Sequence, residues 1–278
     1  MLPEERGTAV VTGASSGIGA ATARELVKIG FTVFGTIRRP EDRAALEADG
    51  VRAVTMDVTK PETIAAAERT VHEAVGARGL AALVNNAGAP AGGPLELLPL
   101  AQFRAVLEVN LVGVLAVTQA FLPLLKQRRG RIVNISSVAG RSALPFMGPY
   151  SASKHGLEAL SDSLRRELVP YDVRVTVIQP GTIQSRIWEK VQWIDTAPYH
   201  GTVYEPVLTH FRDRILRGAR HAPAATVVGR AVARALTARR PPIRMLVSEH
   251  PFLDRLALRL PERMVDWIIA RAVWRRTD

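Results

Sequence analysis

The sequence predicts an α/β fold: a doubly wound parallel sheet of the Rossmann type, in one domain. Three observations carry this reading. Seven short runs rich in Val, Ile and Leu recur along the chain, helical patterns separate most of them, and a Gly-rich turn, TGASSGIG at residues 12–19, follows the first run. Continuous apolar strands alternating with helices indicate a parallel sheet covered on both faces. Its connections are expected to be right-handed crossovers.

The elements follow in order. TAVVT (8–12) is the first strand, and the helix over 17–29 is closed by Gly30. FTVFGTI (31–37), VRAVT (51–55), LAALVN (80–85), RIVNIS (131–136) and VRVTVI (173–178) are the next five strands. Helical patterns cover 61–75, 101–129 and 151–169. Beyond Gly181 the pattern changes to a mixed loop and helix stretch, 182–222, which holds Trp188, Trp193, Tyr199, Tyr204 and Phe211. A helix over 225–238 and a last strand, IRMLV (243–247), follow; the tail 252–276 is apolar and basic. No linker divides residues 1–278, so all of this is read as a single domain.

Bulk composition bounds the function. With 278 residues and 47% hydrophobic content the chain can bury one sizeable core. It has no charge-free apolar run of eighteen or more residues, which argues against a spanning helix. The start, MLPEERGTAVVTG, lacks a basic region, an apolar stretch and a cleavage site, so no secretory signal is read and a cytoplasmic location is expected. The absence of cysteine excludes disulfides, thiolate metal sites and cysteine nucleophiles. The six histidines, His200, His210 and His221 among them, show no metal spacing, and no metal is expected. The net charge of +11 suits an anionic partner: a phosphorylated cofactor, nucleic acid or an acidic membrane. The arginines are dispersed, with no recognition motif among interleaved aromatics, so nucleic acid is not expected.

The Gly-rich turn lies between the first strand and the first helix. Glycines let the backbone turn tightly and approach a ligand. The following helix aims its free N–H groups and positive dipole end at the turn, which suits a pyrophosphate. At the end of the second strand a carboxylate would bind the adenosine ribose, whereas an arginine would accept a 2′-phosphate. The chain reads VFGTIRRP at 33–40: Arg38 and Arg39 stand there, and no acid precedes Glu41. NADP is therefore expected over NAD.

YSASK, residues 150–154, places Tyr150 and Lys154 on one helix face. Such a pair is common on solvated helices. It is also a candidate acid/base device, because a nearby ammonium lowers a phenol's pKa from about 10. Further polar residues stand at or near the ends of the later strands: NNAG at 85–88, Ser136 and Ser137, and the Pro180–Gly181 pair. Ligands bind at such carboxyl ends. Asn110 is a lone amide in the apolar run VLEVNLVGVLAV, and a buried amide needs partners.

Together, TGASSGIG, the Asp57–Val58 pair, NNAG, Asn110, Ser137, YSASK and PGTIQS resemble the short-chain dehydrogenase/reductase family over residues 7–185. The resemblance implies that Tyr150 transfers a proton to or from the substrate oxygen and that Ser137, thirteen residues before it, orients that oxygen. Lys154 would bind the nicotinamide ribose and lower the pKa of Tyr150, and Asn110 would position a water in the proton relay. It further implies that Gly13, Ala14, Ser15, Ser16, Gly17 and Ile18 hold the phosphates and ribose, with Arg38 at the 2′-phosphate. Asp57 and Val58 would meet the adenine, Asn85 the adenosine side, and Ile183 and Ser185 the nicotinamide carboxamide. A homo-dimer or homo-tetramer through the helices of Asn110 and Tyr150 is a further implication.

The implied activity is NADP-dependent interconversion of a secondary alcohol and ketone, or of an alcohol and aldehyde. A non-catalytic NADP-sensing or scaffold protein on the same fold is the alternative, and the intact catalytic set disfavours it. The stretch 182–222 would be a substrate lid. Its aromatics suit a large apolar substrate such as a steroid, a retinoid or a lipid-derived carbonyl, or they pack the lid's own small core. The tail, PERMVDWIIARAVWRR at 261–276, reads as an amphipathic helix. It could pack on the domain or a second subunit, border the substrate entrance, or make a peripheral contact with an anionic membrane.

Overall fold

The computed structural model describes residues 6–184 and 196–274. Seven strands, β1 (Thr8–Val11), β2 (Thr32–Ile37), β3 (Arg52–Thr55), β4 (Ala82–Asn85), β5 (Arg131–Ile135), β6 (Arg174–Pro180) and β7 (Arg244–Val247), form one sheet. Their order is β3-β2-β1-β4-β5-β6-β7, with every pair parallel. Each of the seven expected strands is present. Winding reverses between β1 and β4, which opens a crevice at the carboxyl ends of those strands.

Helices cover both faces. α1 (Gly17–Lys28), α2 (Arg43–Ala48) and a helix at Thr226–Thr237 lie on one side, where Leu26, Leu46, Val228 and Val232 are buried with Val11, Val33 and Val84 of the sheet. α3 (Pro61–Val75), α5 (Gly113–Arg128) and α6 (Gly148–Glu167) lie on the other, around Val71, Phe121, Leu125, Leu164 and Ile132. Local chemistry explains the ends of α3. Pro61 opens it, where a missing N–H costs nothing, and Gly76 leaves it at φ +51°. Its buried residues, Ile64, Ala67, Val71 and Val75, recur at helical spacing and form one stripe.

The expected helix over 101–129 is not uniform. α4 (Leu100–Leu107) passes through a π turn, Glu108–Val112, before α5 begins. Asn110 sits within that turn and is fully buried. The whole span, Leu100–Arg128, is long and apolar enough to cross a membrane by length and composition. Here the apolarity has another use: Val117, Phe121, Leu124 and Leu125 are buried under the sheet. Segment 38–50, unassigned in the sequence reading, contains α2, which buries only Leu46.

The second half adds a helix at Glu205–His221 and two tail helices, Pro251–Ala257 and Glu262–Trp274. Phe146, Tyr199, Val207, Leu208 and Phe211 form a third apolar cluster, and Tyr204 and Val273 pack against it. The Phe146 ring stands edge-on to Tyr204 and Phe211, at centroid distances of 6.3 and 5.6 Å, and 6.2 Å from Trp274. The described aromatics of 182–222 thus pack into a small cluster shared with Phe146 and the tail. Trp188 and Trp193 lie outside the described residues. Neither tail helix buries a residue, and Phe252, Leu253, Leu256, Met264, Trp267 and Ile268 are exposed.

Candidate active site

The Gly-rich turn leaves β1 at the crevice and is pinned from both sides. Gly13 N–H donates to Thr36 Oγ1 at 3.1 Å, and Ala14 N–H to the Thr36 carbonyl at 2.9 Å. From β4, the Asn86 side-chain amide donates to the carbonyls of Thr12 and Gly13 at 2.9 and 3.1 Å. The Thr12 hydroxyl accepts the N–H groups of Asn86 and Ala87. Gly19 is obligatory for space, since a Cβ there would run into the Gly13 carbonyl and the Asn86 amide. Ser16 stands at the N-cap of α1 with extended backbone, yet its side chain makes no capping hydrogen bond. The first N–H groups of α1 are therefore left to an outside acceptor. A cavity of about 260 Å³ beside the turn is lined by Ser15, Ser16, Gly17, Leu46 and the Arg24–Asp49 ion pair. An uncapped helix start, a pinned turn and no room for a Cβ fit a pyrophosphate.

The two arginines at the end of β2 differ. Arg39 pairs with Asp42 at 3.2 Å and with Glu41 at 3.5 Å. Arg38 is exposed and has no acid within 4 Å among the described residues. Its field still helps hold the Asp57 carboxyl below the usual range, although hydrogen bonds from Thr59 are the main cause. Those bonds, at 3.0 Å from the backbone N–H and 2.8 Å from the hydroxyl, fix Asp57 at the end of β3. The neighbouring Val58 is buried against Gly113. Arg38, Asp57 and the turn thus gather at one end of the crevice.

The other end carries the Tyr/Lys pair. Lys154 is buried, and its Nζ donates to the Ile135 carbonyl at 2.8 Å, 5.7 Å from the centre of the Tyr150 ring. Burial lowers its pKa to about 8, against the opposing field of Glu158. Desolvation pushes the Tyr150 phenol up, while a hydrogen bond with Ser137 pulls it down. The Ser137 hydroxyl also accepts from Ala139 N–H at 3.1 Å and lies 3.4 Å from the Pro180 carbonyl. The Asn110 carbonyl oxygen accepts from Ala89 N–H at 2.7 Å, and its amide donates to the Ala89 carbonyl and to Ser153 Oγ at 2.9 and 3.0 Å. Ser153 in turn donates to the Tyr150 carbonyl at 2.7 Å. Gly88 lies between the two groups: a Cβ there would make ordinary contact, 3.4 Å from Asn110 Oδ1 and 4.0 Å from Lys154 Nζ.

Three expected contacts need correction or fall outside the description. The Asn85 side chain faces the core, donating to Thr118 Oγ1 and Asn134 Oδ1 at 3.0 and 2.9 Å, because successive strand residues point to opposite faces. Any contact of Asn85 with adenosine is thus confined to its main chain. The Ile183 side chain likewise packs in the core, with Ile178 and Val228. Ser185 lies outside the described residues.

Thr12 and Asn86, which pin the turn, and Ser153, which supports Asn110, lie inside TGASSGIG, NNAG and YSASK, but sequence reasoning gave them no role of their own, and it missed Thr36. Asn134 was visible as a lone amide inside an apolar strand, the same signal that singled out Asn110.

Comparison with known proteins agrees with this geometry. The family profile for short chain dehydrogenases matches residues 7–193. The chain is 35% identical over 280 residues to an NADPH-dependent 3-dehydrocapnine reductase of Ornithobacterium rhinotracheale, covering 97% of this chain and 98% of that protein. It is 44% identical over 188 residues to human retinol dehydrogenase 16, covering 66% of this chain and 59% of that protein. The crystal structure of a short-chain dehydrogenase from Streptomyces avermitilis superposes with a TM-score of 0.77 at 29% identity, covering 99% of each chain. With its switch-point turn, its Ser137–Tyr150–Lys154 cluster and these relatives, the chain belongs to the short-chain dehydrogenase/reductase family.

Proposed function

We propose that this protein is an NADP-dependent oxidoreductase that interconverts an apolar secondary alcohol and its ketone, or an alcohol and its aldehyde. The observation that carries the reading is the convergence of Ser137, Tyr150 and Lys154 at the carboxyl ends of β5 and β6, beside a pinned turn and an uncapped helix start. Its relatives include an NADPH-dependent reductase and a retinol dehydrogenase, which supports both the cofactor and an apolar substrate. When bound, the cofactor supplies or accepts the hydride.

The chain's own residues do the rest. Gly13 to Ile18 hold the diphosphate and Arg38 the 2′-phosphate. Asp57, Val58 and the main chain of Asn85 line the adenosine end. Ile183 and Ser185 serve the carboxamide. Ser137 Oγ donates to the substrate oxygen and fixes its direction. Tyr150 then gives its phenolic proton to that oxygen in reduction, or takes it in oxidation. Lys154, as an ammonium, holds the ribose and draws the phenol's pKa back toward neutrality against desolvation. The side chain of Asn110 already has three hydrogen-bond partners, so a relay water would rest on its main chain.

The stretch 182–222 is read as the lid of a single domain, 1–278. Its base is closed where Gln184 N–H donates to the Pro223 carbonyl at 2.9 Å. The tail extension 252–276 borders it, since Val273 and Trp274 reach the aromatic cluster. A homo-dimer or homo-tetramer through the helices of Asn110 and Tyr150, in the cytoplasm, is part of this reading, and the exposed apolar face of the tail helices suits a subunit contact or a peripheral membrane contact. Light scattering and liposome sedimentation separate these.

The activity is tested by following NADPH and NADH absorbance at 340 nm against a panel of steroids, retinoids and long-chain ketones and aldehydes. Turnover of none of them by protein that binds NADPH would refute the reading.

A further inference from the structure

Of 63 Lys, Arg, Asp and Glu side chains, only Lys154 and Glu158 are buried among the described residues. They stand one turn apart on α6, so they share a face. A charge is held in a protein interior only when it is compensated. Among the described residues Lys154 has no carboxylate within 4 Å; its Nζ has the Ile135 carbonyl as partner. Glu158 is hydrogen-bonded through both oxygens. Oε1 accepts from Gln179 Nε2 at 3.0 Å, and Oε2 pairs with Arg244 Nε at 2.8 Å. The same guanidinium reaches Asp162 at 3.0 Å, and Asp162 also meets Arg165 at 3.4 Å. Gln179 and Arg244 come from β6 and β7, so this carboxylate is bolted to two strands. The helix packed against α6 offers Arg104 and Glu108, which are both exposed. Glu158 plays no part in the chemistry assigned above.

We propose that Glu158 is a positioning residue that keeps Lys154 in its ammonium form, and that Arg244 sets how much of the Glu158 charge reaches Lys154. The arrangement is a graded chain of charges: an ammonium at the reacting end, a rigid carboxylate one turn behind it, and a guanidinium at the sheet edge. Neutralising Glu158 removes the negative field, so the ammonium is lost at lower pH. Removing Arg244 strengthens that field, so the ammonium persists to higher pH. The phenol of Tyr150 moves in the same direction in each case, so the sign holds whichever group limits the rate. The inference rests on the catalytic reading of Lys154.

The test is the pH profile of kcat/KM for carbonyl reduction, in wild type, Glu158→Gln, Glu158→Asp, Arg244→Met and Lys154→Ala. The alkaline limb is expected to move to lower pH by about one unit in Glu158→Gln and upward in Arg244→Met. Glu158→Asp keeps the charge and is expected to keep the limb near its wild-type position. A merely structural role would lower kcat/KM evenly across pH; a limb unmoved in both Glu158→Gln and Arg244→Met overturns the inference. If Glu158→Gln does not fold, Arg244→Met alone decides by the sign of its shift. Lys154→Ala checks the underlying reading separately. If it stays active, that reading fails; if it is inactive while the limbs stay fixed, only the role of Glu158 fails.

Discussion

Replacing Arg38 by aspartate is the sharpest test of how the protein selects its cofactor. Arg38 sits at the end of β2, exposed and without an acid within 4 Å among the described residues, while Arg39 beside it is tied to Asp42 and Glu41. Arg38 is therefore the guanidinium free to meet a 2′-phosphate, and Arg39 is already spoken for. A charge-assisted contact of this kind contributes about 1–3 kcal/mol, or roughly 5- to 150-fold in affinity. Exposure places the expected loss toward the lower part of that range, and charge reversal adds repulsion. Titrating the intrinsic fluorescence with NADPH and NADH measures both affinities. Arg38→Asp is expected to weaken NADPH about 10- to 100-fold and to leave NADH within about threefold. The NADPH loss in Arg38→Ala shrinks at high salt, as a screened contact must. Arg39→Ala is the control and is expected to change NADPH affinity little. Equal loss of both cofactors in Arg38→Asp, or a larger loss in Arg39→Ala than in Arg38→Ala, would refute the reasoning.

Three further outcomes are expected. Tyr150→Phe removes only the proton donor, so kcat falls at least about 100-fold with NADPH affinity unchanged, whereas Lys154→Ala harms both; turnover and binding measured on the same samples check this. Truncation after Leu260 strips Val273 and Trp274 from the aromatic cluster around Phe146 and is expected to lower the melting temperature and KM-defined substrate affinity; an unchanged melt and KM, with loss of liposome binding, would instead assign the tail to a membrane. Asp162 is held below the usual carboxylate range chiefly by its hydrogen bond to Arg244. Its contribution to stability is therefore complete above the unfolded value of about 4 and is lost as pH falls through the folded value. Acid denaturation of Asp162→Asn is expected to differ from wild type at neutral pH and to converge with it in acid.

Most of the fold was legible because it rests on short-range patterns. Strands buried on both faces read as apolar runs, and Pro61 and Gly76 mark the ends of α3 in the sequence itself. The turn at 12–19 and the pair at 150 and 154 were legible for the same reason: spacing within one element determines which side chains share a face. What the chain alone left open was the partner of each polar group. Asn85 and Asn86 are adjacent and chemically identical, yet strand alternation sends one into the core toward Asn134 and the other onto the Gly-rich turn. Arg38 and Arg39 are likewise indistinguishable until the turn after β2 places Asp42 beside Arg39. The π turn that buries Asn110 and the grip of Arg244 on Glu158, 86 residues away, are decided by packing between elements. Local periodicity specifies faces; only the assembled sheet and helices specify which faces meet.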